Sequence, residues 1–400
     1  MRIEVEKKEG LKARSAPVWR QLLGLKRIAP KIYLTLVLLL TFELFGIVVA
    51  PIFVPSSAYF RLYLNEKARQ STQRFLEENI AVIPDDVAGW RNRPDFEQGS
   101  WKIDEHGSRS AHPITMAREK PLRVLFLGSS MINGGNHVQN DETISAYLED
   151  SQIEAINYGT MLYALDQSFL AYRERLHGYQ ANVVVVGIDS DPVAGLQNHY
   201  VPFRFPAEVN MPYLKPRFTM RDGGLSLVPV HPRQMLAEAL KSPTGLLEFL
   251  SRNDSFYFEF ETFERFGLSP FSGGLRYFYL RARSVYQSLF PAEEALVLFE
   301  SLSDAMVKEG EKHGAKVVFL TLPDATAFGS SRWRNYLPDR FGEALDALKH
   351  RGHEVVDARN LLQQSKLPVT QLFLEDKAHY RPAANRVIAE GIRRYLRGRP

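Results

Sequence analysis

The sequence predicts an α/β fold: a three-layer α/β/α sandwich with a parallel sheet, preceded by an amino-terminal transmembrane helix and interrupted by a mid-chain insertion. Three observations predict it. Short, nearly continuous apolar runs, "LRVLFLG" (122–128), "NVVVVGI" (182–188) and "KVVFLTLP" (316–323), have the length and composition of strands buried on both faces. Helical stretches separate these runs, which is the pattern of a parallel sheet covered on both sides. A long apolar run near the amino terminus stands apart from that alternation. At 400 residues the chain is too long for one ordinary core and implies one large domain plus additions. Its 45% hydrophobic and 24% charged residues are the proportions of a folded protein.

The elements follow in order. Residues 1–31 form a basic tail, expected to be cytoplasmic, in which Arg2, Lys7, Lys8, Lys12, Arg14, Arg20, Lys26, Arg27 and Lys31 face only Glu4, Glu6 and Glu9. From Ile32 to Val54 the chain reads "IYLTLVLLLTFELFGIVVAPIFV", long enough at about 1.5 Å per residue to cross a bilayer core of about 30 Å. Glu43 is its single charge. The basic flank places the amino terminus in the cytoplasm and the rest of the chain outside it, so residues 32–54 are expected to be an uncleaved signal anchor. A cleaved signal peptide fits less well, because the basic region and the apolar run are both long and Pro51 follows Ala50.

Residues 55–87 are expected to form a helical stalk, with Phe60, Leu64, Phe75, Leu76 and Ile80 set among charges, and residues 84–121 an irregular lead-in. The alternation then begins with the strand 122–128 and a helix near Thr143–Leu148. A strand in "EAINYG" and a helix over Asp166–Leu176 come next, followed by the strand 182–188. After the middle section come a helix over Ala292–His313, the strand 316–323, a helix over Asp339–Arg351, a short strand in "HEVVDA" and a last helix over Ala383–Leu396. Residues from about 196 to 290 break the alternation. Rich in proline, glycine and aromatics, they are expected to be an insertion over the sheet edge within a domain spanning 88–400.

The functional crevice of an open parallel sheet lies beyond the carboxyl ends of its strands. Those ends carry Gly128-Ser129-Ser130, Asn157-Tyr158-Gly159 and Asp189-Ser190-Asp191, and Asp376 and His379 come just before the final helix. A serine hydroxyl is a weak nucleophile that needs a base within hydrogen-bond reach. Histidine supplies that base, and a carboxylate on its other nitrogen sets tautomer and orientation. Taken singly, each residue has a plainer reading: a turn after a strand, a surface histidine, a helix-start aspartate. Their order along the chain is what suggests nucleophilic catalysis.

Two segments then resemble a known family. "VLFLGSSMINGGNHVQNDETISAYLE" is similar to the first block of SGNH (GDSL-type) hydrolases, and "DKAHY" to their Asp-x-x-His block. "INYGTMLYALDQ" resembles the second block, and "GWRNRPDFEQGSWKIDEHGSR", with Gly107 and Arg109, resembles the lead-in of membrane-anchored members. The resemblance covers roughly residues 88–397. It implies Ser130 as nucleophile, His379 as base and Asp376 as its partner, with Ser129 where aspartate is usual. Two departures concern the oxyanion. Leu162 stands where the second block has a glycine, and Asp189-Ser190-Asp191 replaces the block that offers an asparagine. The expected oxyanion donors are therefore the backbone N–H groups of Ser130 and of residues near Leu162, with the Ser190 side chain.

The resemblance implies an exported, membrane-anchored serine esterase acting on an acyl ester, O-acetyl in particular, of an envelope or secreted polysaccharide. Two alternatives stay open at this point: a polysaccharide O-acetyltransferase with the same triad and a membrane partner that delivers acyl groups, and a non-catalytic binding or assembly module on the same fold. Phe203, Arg204 and Tyr213, with Phe205, Arg217 and Phe218, are candidates to line a glycan groove, or else pack the insertion's own core. The chain has no cysteine, which excludes disulfides and thiolate chemistry. A net charge of +4, with much of the excess at the amino terminus, gives no footprint for nucleic acid. No metal-ligand spacing, phosphate loop or dinucleotide fingerprint occurs, so neither metal nor cofactor is expected.

Overall fold

In a computed structural model the described residues are 31–42, 44, 66–77, 80–205, 211–257, 282, 285–287, 289–290, 293–329 and 339–398. The chain divides into two units, one of residues 1–56 and 261–278, the other of 57–260 and 279–400. In the first unit, residues 31–42 and 44 are helical and carry exposed apolar side chains, among them Ile32, Leu36, Leu39, Leu40 and Phe42. The rest of the 32–54 run and the basic tail before Lys31 lie outside the described residues. Among those described, no helix is long and apolar enough to cross a membrane.

The second unit begins with a helix over Glu66–Glu77. The expected stalk is helical there, yet it does not stand free. Phe75 is fully buried against Tyr213, with ring centroids 5.5 Å apart, and Thr72 is buried beside it. The apolar side of the amphipathic pattern is used for docking on the domain. Two small antiparallel pairs follow, β1 (Val82–Asp85) with β2 (Gly89–Asn92), and β3 (Glu97–Gln98) with β4 (Trp101–Lys102). The lead-in expected to be irregular thus contains two hairpins, anchored by the buried side chains of Trp90, Phe96 and Trp101.

The central sheet comprises β5 (Leu122–Leu127), β6 (Ile153–Asn157), β7 (Val183–Asp189), β10 (Lys316–Leu322) and β11 (Val355–Asp357), all parallel. Between β7 and β10 lies the hairpin of β8 (Arg217–Arg221) and β9 (Gly224–Val228). The spatial order is β6-β5-β7-β10-β11. Alternate side chains enter two cores, as a period of two requires. Leu125, Leu127, Val184, Val186, Val317 and Phe319 face one, with the helices Leu165–Glu174 and Glu293–Lys312. Val124, Phe126, Val183, Val185, Val318 and Leu320 face the other, with the helix Pro382–Leu396. Burying each such side chain contributes about 1.5–3 kcal/mol, so continuous valine runs favour a doubly covered sheet over a half-exposed one.

The insertion is placed differently from expectation. Its hairpin packs on the helices Leu165–Glu174 and Glu293–Lys312 that cover one sheet face, rather than over the sheet edge. The cause lies in its aromatics. Phe218, 3% exposed, meets Phe169 of the first of these helices at 5.8 Å, extending that core outward. Residues 206–210 and most of 258–292 lie outside the described residues.

Candidate active site

The order β6-β5-β7 makes the carboxyl ends of β5 and β7 the place where chain connections leave in opposite directions. That is where a crevice opens in a doubly wound sheet. β5 delivers Ser130 to it. Gly128 adopts φ 141°, and a Cβ there would stand 2.9 Å from Ile132 Cγ1 and 3.2 Å from Gly187 Cα. Only glycine lets the strand turn this closely against β7. Ser129 then caps the short helix Ser130–Asn133, its hydroxyl accepting from the Met131 N–H at 3.2 Å.

The turn after β6 is stitched to this one. The Asn133 side chain donates to the Gly159 carbonyl at 2.8 Å, the Asn157 side chain donates to the Ile132 carbonyl at 3.0 Å, and the Thr160 N–H donates to the Gly128 carbonyl at 2.8 Å. A Cβ on Gly159 would lie 2.4 Å from Asn133 N, so the two turns touch through glycine. Arg109, buried, holds the following loop by donating to the carbonyls of Asn133 at 2.8 Å and Val138 at 2.6 Å, and to that of Gly135. It spends a full cation on backbone carbonyls, and burial draws its pKa down to about 10.

The loop before the last helix brings the other two residues. His379 Nε2 lies 2.9 Å from Ser130 Oγ, and His379 Nδ1 lies 2.6 Å from Asp376 Oδ2. The other Asp376 oxygen accepts from the backbone N–H groups of Ala378 at 2.9 Å and His379 at 3.0 Å. Burial alone would raise the Asp376 pKa. The amides of His379 and Ala378 and the imidazole outweigh it, and the carboxyl is held below its usual range. The tight turn uses Lys377 at φ 60°, whose carbonyl accepts from the Ala325 N–H at 2.8 Å, and Tyr380, whose hydroxyl donates to the Pro323 carbonyl at 2.7 Å. The Asp-x-x-His loop is thereby tied to the end of β10.

The fold also brings in His137, which the sequence reading missed. Its ring sits 4.6 Å from that of His379, and its Nε2 lies 4.0 Å from Asp376 Oδ2. Burial and the neighbouring His379 lower its pKa. The ligand atoms of His137, Asp376 and His379 lie within 4.8 Å of one another, although the sequence carries no metal-ligand spacing. Residues 239 positions apart in the chain come together only through the fold. Both ring nitrogens of His379 face Ser130 and Asp376, so the present arrangement is a hydrogen-bonded relay with a second imidazole beside it.

The expected oxyanion residues take different places. Leu162 is half-buried and keeps a left-handed backbone at φ 60°, the conformation for which a glycine would ordinarily be used. Ser190 follows the end of β7 and is half-buried. Asp189, the last residue of β7, has a buried Oδ1 with no hydrogen-bond partner among the described residues, and burial raises its pKa to about 6.

The proposed glycan groove is corrected. Phe203 is 8% exposed and meets the rings of Tyr200 at 5.0 Å and Tyr257 at 5.8 Å. Tyr213 is 5% exposed and packs on Trp90 at 4.6 Å. Both belong to the core, because a ring gains more from burial than from a solvated groove. Arg204 pairs with Asp191 at 2.8 Å and lies over the Phe205 ring at 4.5 Å.

No family model and no curated protein matches the chain. Among solved structures it is similar to an acetylxylan esterase from Geobacillus stearothermophilus, at 11% identity over 69% of this chain and 94% of that one, with a TM-score of 0.37. It is also similar to a lipolytic protein of the G-D-S-L family from Desulfitobacterium hafniense, at 12% identity over 68% and 98%, with a TM-score of 0.35. A third is an alpha/beta hydrolase from the metagenome of Lake Arreo, at 11% identity over 70% and 96%, with a TM-score of 0.36.

Proposed function

We propose that this chain is an exported serine esterase of the SGNH type, anchored by a single span, that removes acyl groups, O-acetyl in particular, from an envelope or secreted polysaccharide. The observation that carries the catalytic part is the unbroken relay from Asp376 through His379 to Ser130, at 2.6 and 2.9 Å, at the switch point of a parallel sheet. Anchoring and export are supported by the apolar run Ile32–Val54 behind its basic flank, and by the outward-facing apolar side chains of residues 31–42. The glycan part of the reading rests on the outward placement proposed for the domain.

In the acylation step Ser130 Oγ bonds to the ester carbonyl carbon and its proton passes to His379 Nε2. The carbonyl π pair moves onto oxygen as the oxyanion. Asp376 keeps the imidazole in the tautomer that accepts at Nε2 and stabilises the imidazolium that forms. Collapse of the tetrahedral intermediate expels the sugar oxygen, which takes the proton from His379. Water then repeats the sequence on the acyl-serine, releasing the acid and restoring Ser130.

The test is reaction of the full-length chain in detergent with a serine-directed fluorophosphonate, read by intact mass. A single adduct, absent in Ser130→Ala, is expected, together with hydrolysis of 4-nitrophenyl acetate. A folded chain that forms no adduct overturns the enzymatic reading in favour of a binding module. An adduct without hydrolysis, but with acetyl transfer to an added glycan, replaces esterase by transferase.

A further inference from the structure

His137 has no part in the acyl chemistry above, yet the fold holds it against both partners of the nucleophile. Its ring lies 4.6 Å from that of His379, and its Nε2 lies 4.0 Å from Asp376 Oδ2, which His379 Nδ1 meets at 2.6 Å. The other Asp376 oxygen accepts from the N–H groups of Ala378 and His379, so Oδ2 is the oxygen turned toward the two imidazoles. The backbone on either side is fixed. Arg109 holds the carbonyls of Gly135 and Val138, which flank His137, and the Ala325 N–H holds the carbonyl of Lys377 between Asp376 and His379.

One ligand atom from each of His137, Asp376 and His379 lies within 4.8 Å of the other two, the one such group of three among the described residues. Ligand atoms of a tetrahedral zinc site, with bonds near 2.1 Å, stand roughly 3.4 Å apart. Closing the set on an ion therefore needs only side-chain rotation. His137 and Asp376 are exposed and have room for it, and their exposure also leaves the position open to solvent. Two imidazoles and one carboxylate, with a fourth position for water, are donors that suit zinc and its neighbours. Calcium and magnesium take oxygen instead.

We propose that His137, Asp376 and His379 form a site for a divalent transition-metal ion, zinc in particular, and that the bound ion switches the relay off. The switching rests on the esterase reading above; the binding does not. The relay uses both nitrogens of His379, a proton on Nδ1 toward Asp376 and a lone pair on Nε2 toward Ser130. Ligation at Nδ1 needs the lone pair there, so the ring proton moves to Nε2 and nothing remains to accept from Ser130. Ligation at Nε2 occupies the lone pair that Ser130 requires. Either nitrogen gives the same result, and Asp376, bound to the ion, no longer orients the ring. An Asp–His pair alone offers two ligands, one fewer than a zinc site with an open position uses. His137 is the residue that turns a relay into a metal site.

The experiment titrates the full-length chain, first stripped of metal with EDTA, with zinc chloride at pH 7. Binding is read by calorimetry in Ser130→Ala, which keeps all three ligands and needs no activity. Inhibition is read by 4-nitrophenyl acetate hydrolysis in an otherwise wild-type chain. One zinc per chain is expected to bind, hydrolysis to stop as the site fills, and EDTA to restore it. His137→Ala, and His137→Gln as the bulkier replacement, should each weaken binding and inhibition by at least about tenfold, every rate being taken against that variant's own metal-free rate. Zinc binding and inhibition unchanged in both variants overturn the site, as does a Ser130→Ala chain that binds no zinc. Zinc that speeds hydrolysis overturns the switch. A zinc site that depends on His137 in a chain that hydrolyses no ester supports the site and overturns the esterase reading instead.

Discussion

The two strand ends that flank the switch point are built in opposite ways. The end of β5 is closed: Gly128, Asn133, Asn157 and Gly159 satisfy one another's polar atoms, and Arg109 holds the loop beyond. The end of β7 is less completely bonded: among the described residues Asp189 keeps a buried oxygen without a partner, and Ser190 follows it half-buried. Position is what a nucleophile needs, so its turn is over-determined. A buried acid with an unpaired oxygen instead loses solvation once it ionises, and burial accordingly raises its pKa.

The hardest break of this comparison is Ser130→Ala, which removes the atom the closed end exists to position. Esterase turnover is expected to fall roughly 10⁴- to 10⁶-fold, measured with 4-nitrophenyl acetate, while the fold is kept. Asp376→Asn should lower kcat about 10³- to 10⁴-fold, because an amide on Nδ1 favours the wrong tautomer of His379. Stopped-flow acylation checks it, and wild-type rates would refute the relay. Gly159→Ala tests the closed end itself. Its Cβ would meet Asn133 N at 2.4 Å, so the turns must separate, at a cost of about 1–3 kcal/mol by chemical denaturation.

The finest test sharpens the end of β7 through stability alone. The residue is half-buried but its carboxyl is buried, and the folded pKa is raised from 3.8 to about 6. The native state therefore binds this proton more tightly than the unfolded chain. Its contribution is complete below the unfolded value and is lost as pH rises through the folded one. Asp189→Asn is expected to match wild type in Tm near pH 4 and to exceed it above pH 6, by at most about 3 kcal/mol in stability. Equal Tm differences at both pH values would show that Asp189 is solvated.

Much of the frame was legible beforehand for a local reason. The strands of the sheet and most covering helices fall within a residue or two of their sequence signals, because runs such as Val183–Val186 are too apolar for anything but a doubly covered strand. The helix Ala358–Gln364 had no such signal and went unread. Ser130, Asp376 and His379 were legible because each sits in a short local pattern. The aromatics of the insertion were misread, since the composition of a groove wall and of a core is the same. Which of the two Phe203 and Tyr213 join depends on what packs over them.

By itself, the sequence determined which segments become buried strands, where the chain turns, and which side chains able to do acyl chemistry stand at the strand ends. These follow from hydrophobic period, glycine placement and local hydrogen bonding, all of which act over a few residues. Only the tertiary structure decided that His137 lies against His379, that the helix Glu66–Glu77 docks on the domain, and that the Asp189 carboxyl is buried with an oxygen unpaired. Contacts between distant segments and the desolvation of a carboxyl depend on everything packed around them, and no local pattern encodes that.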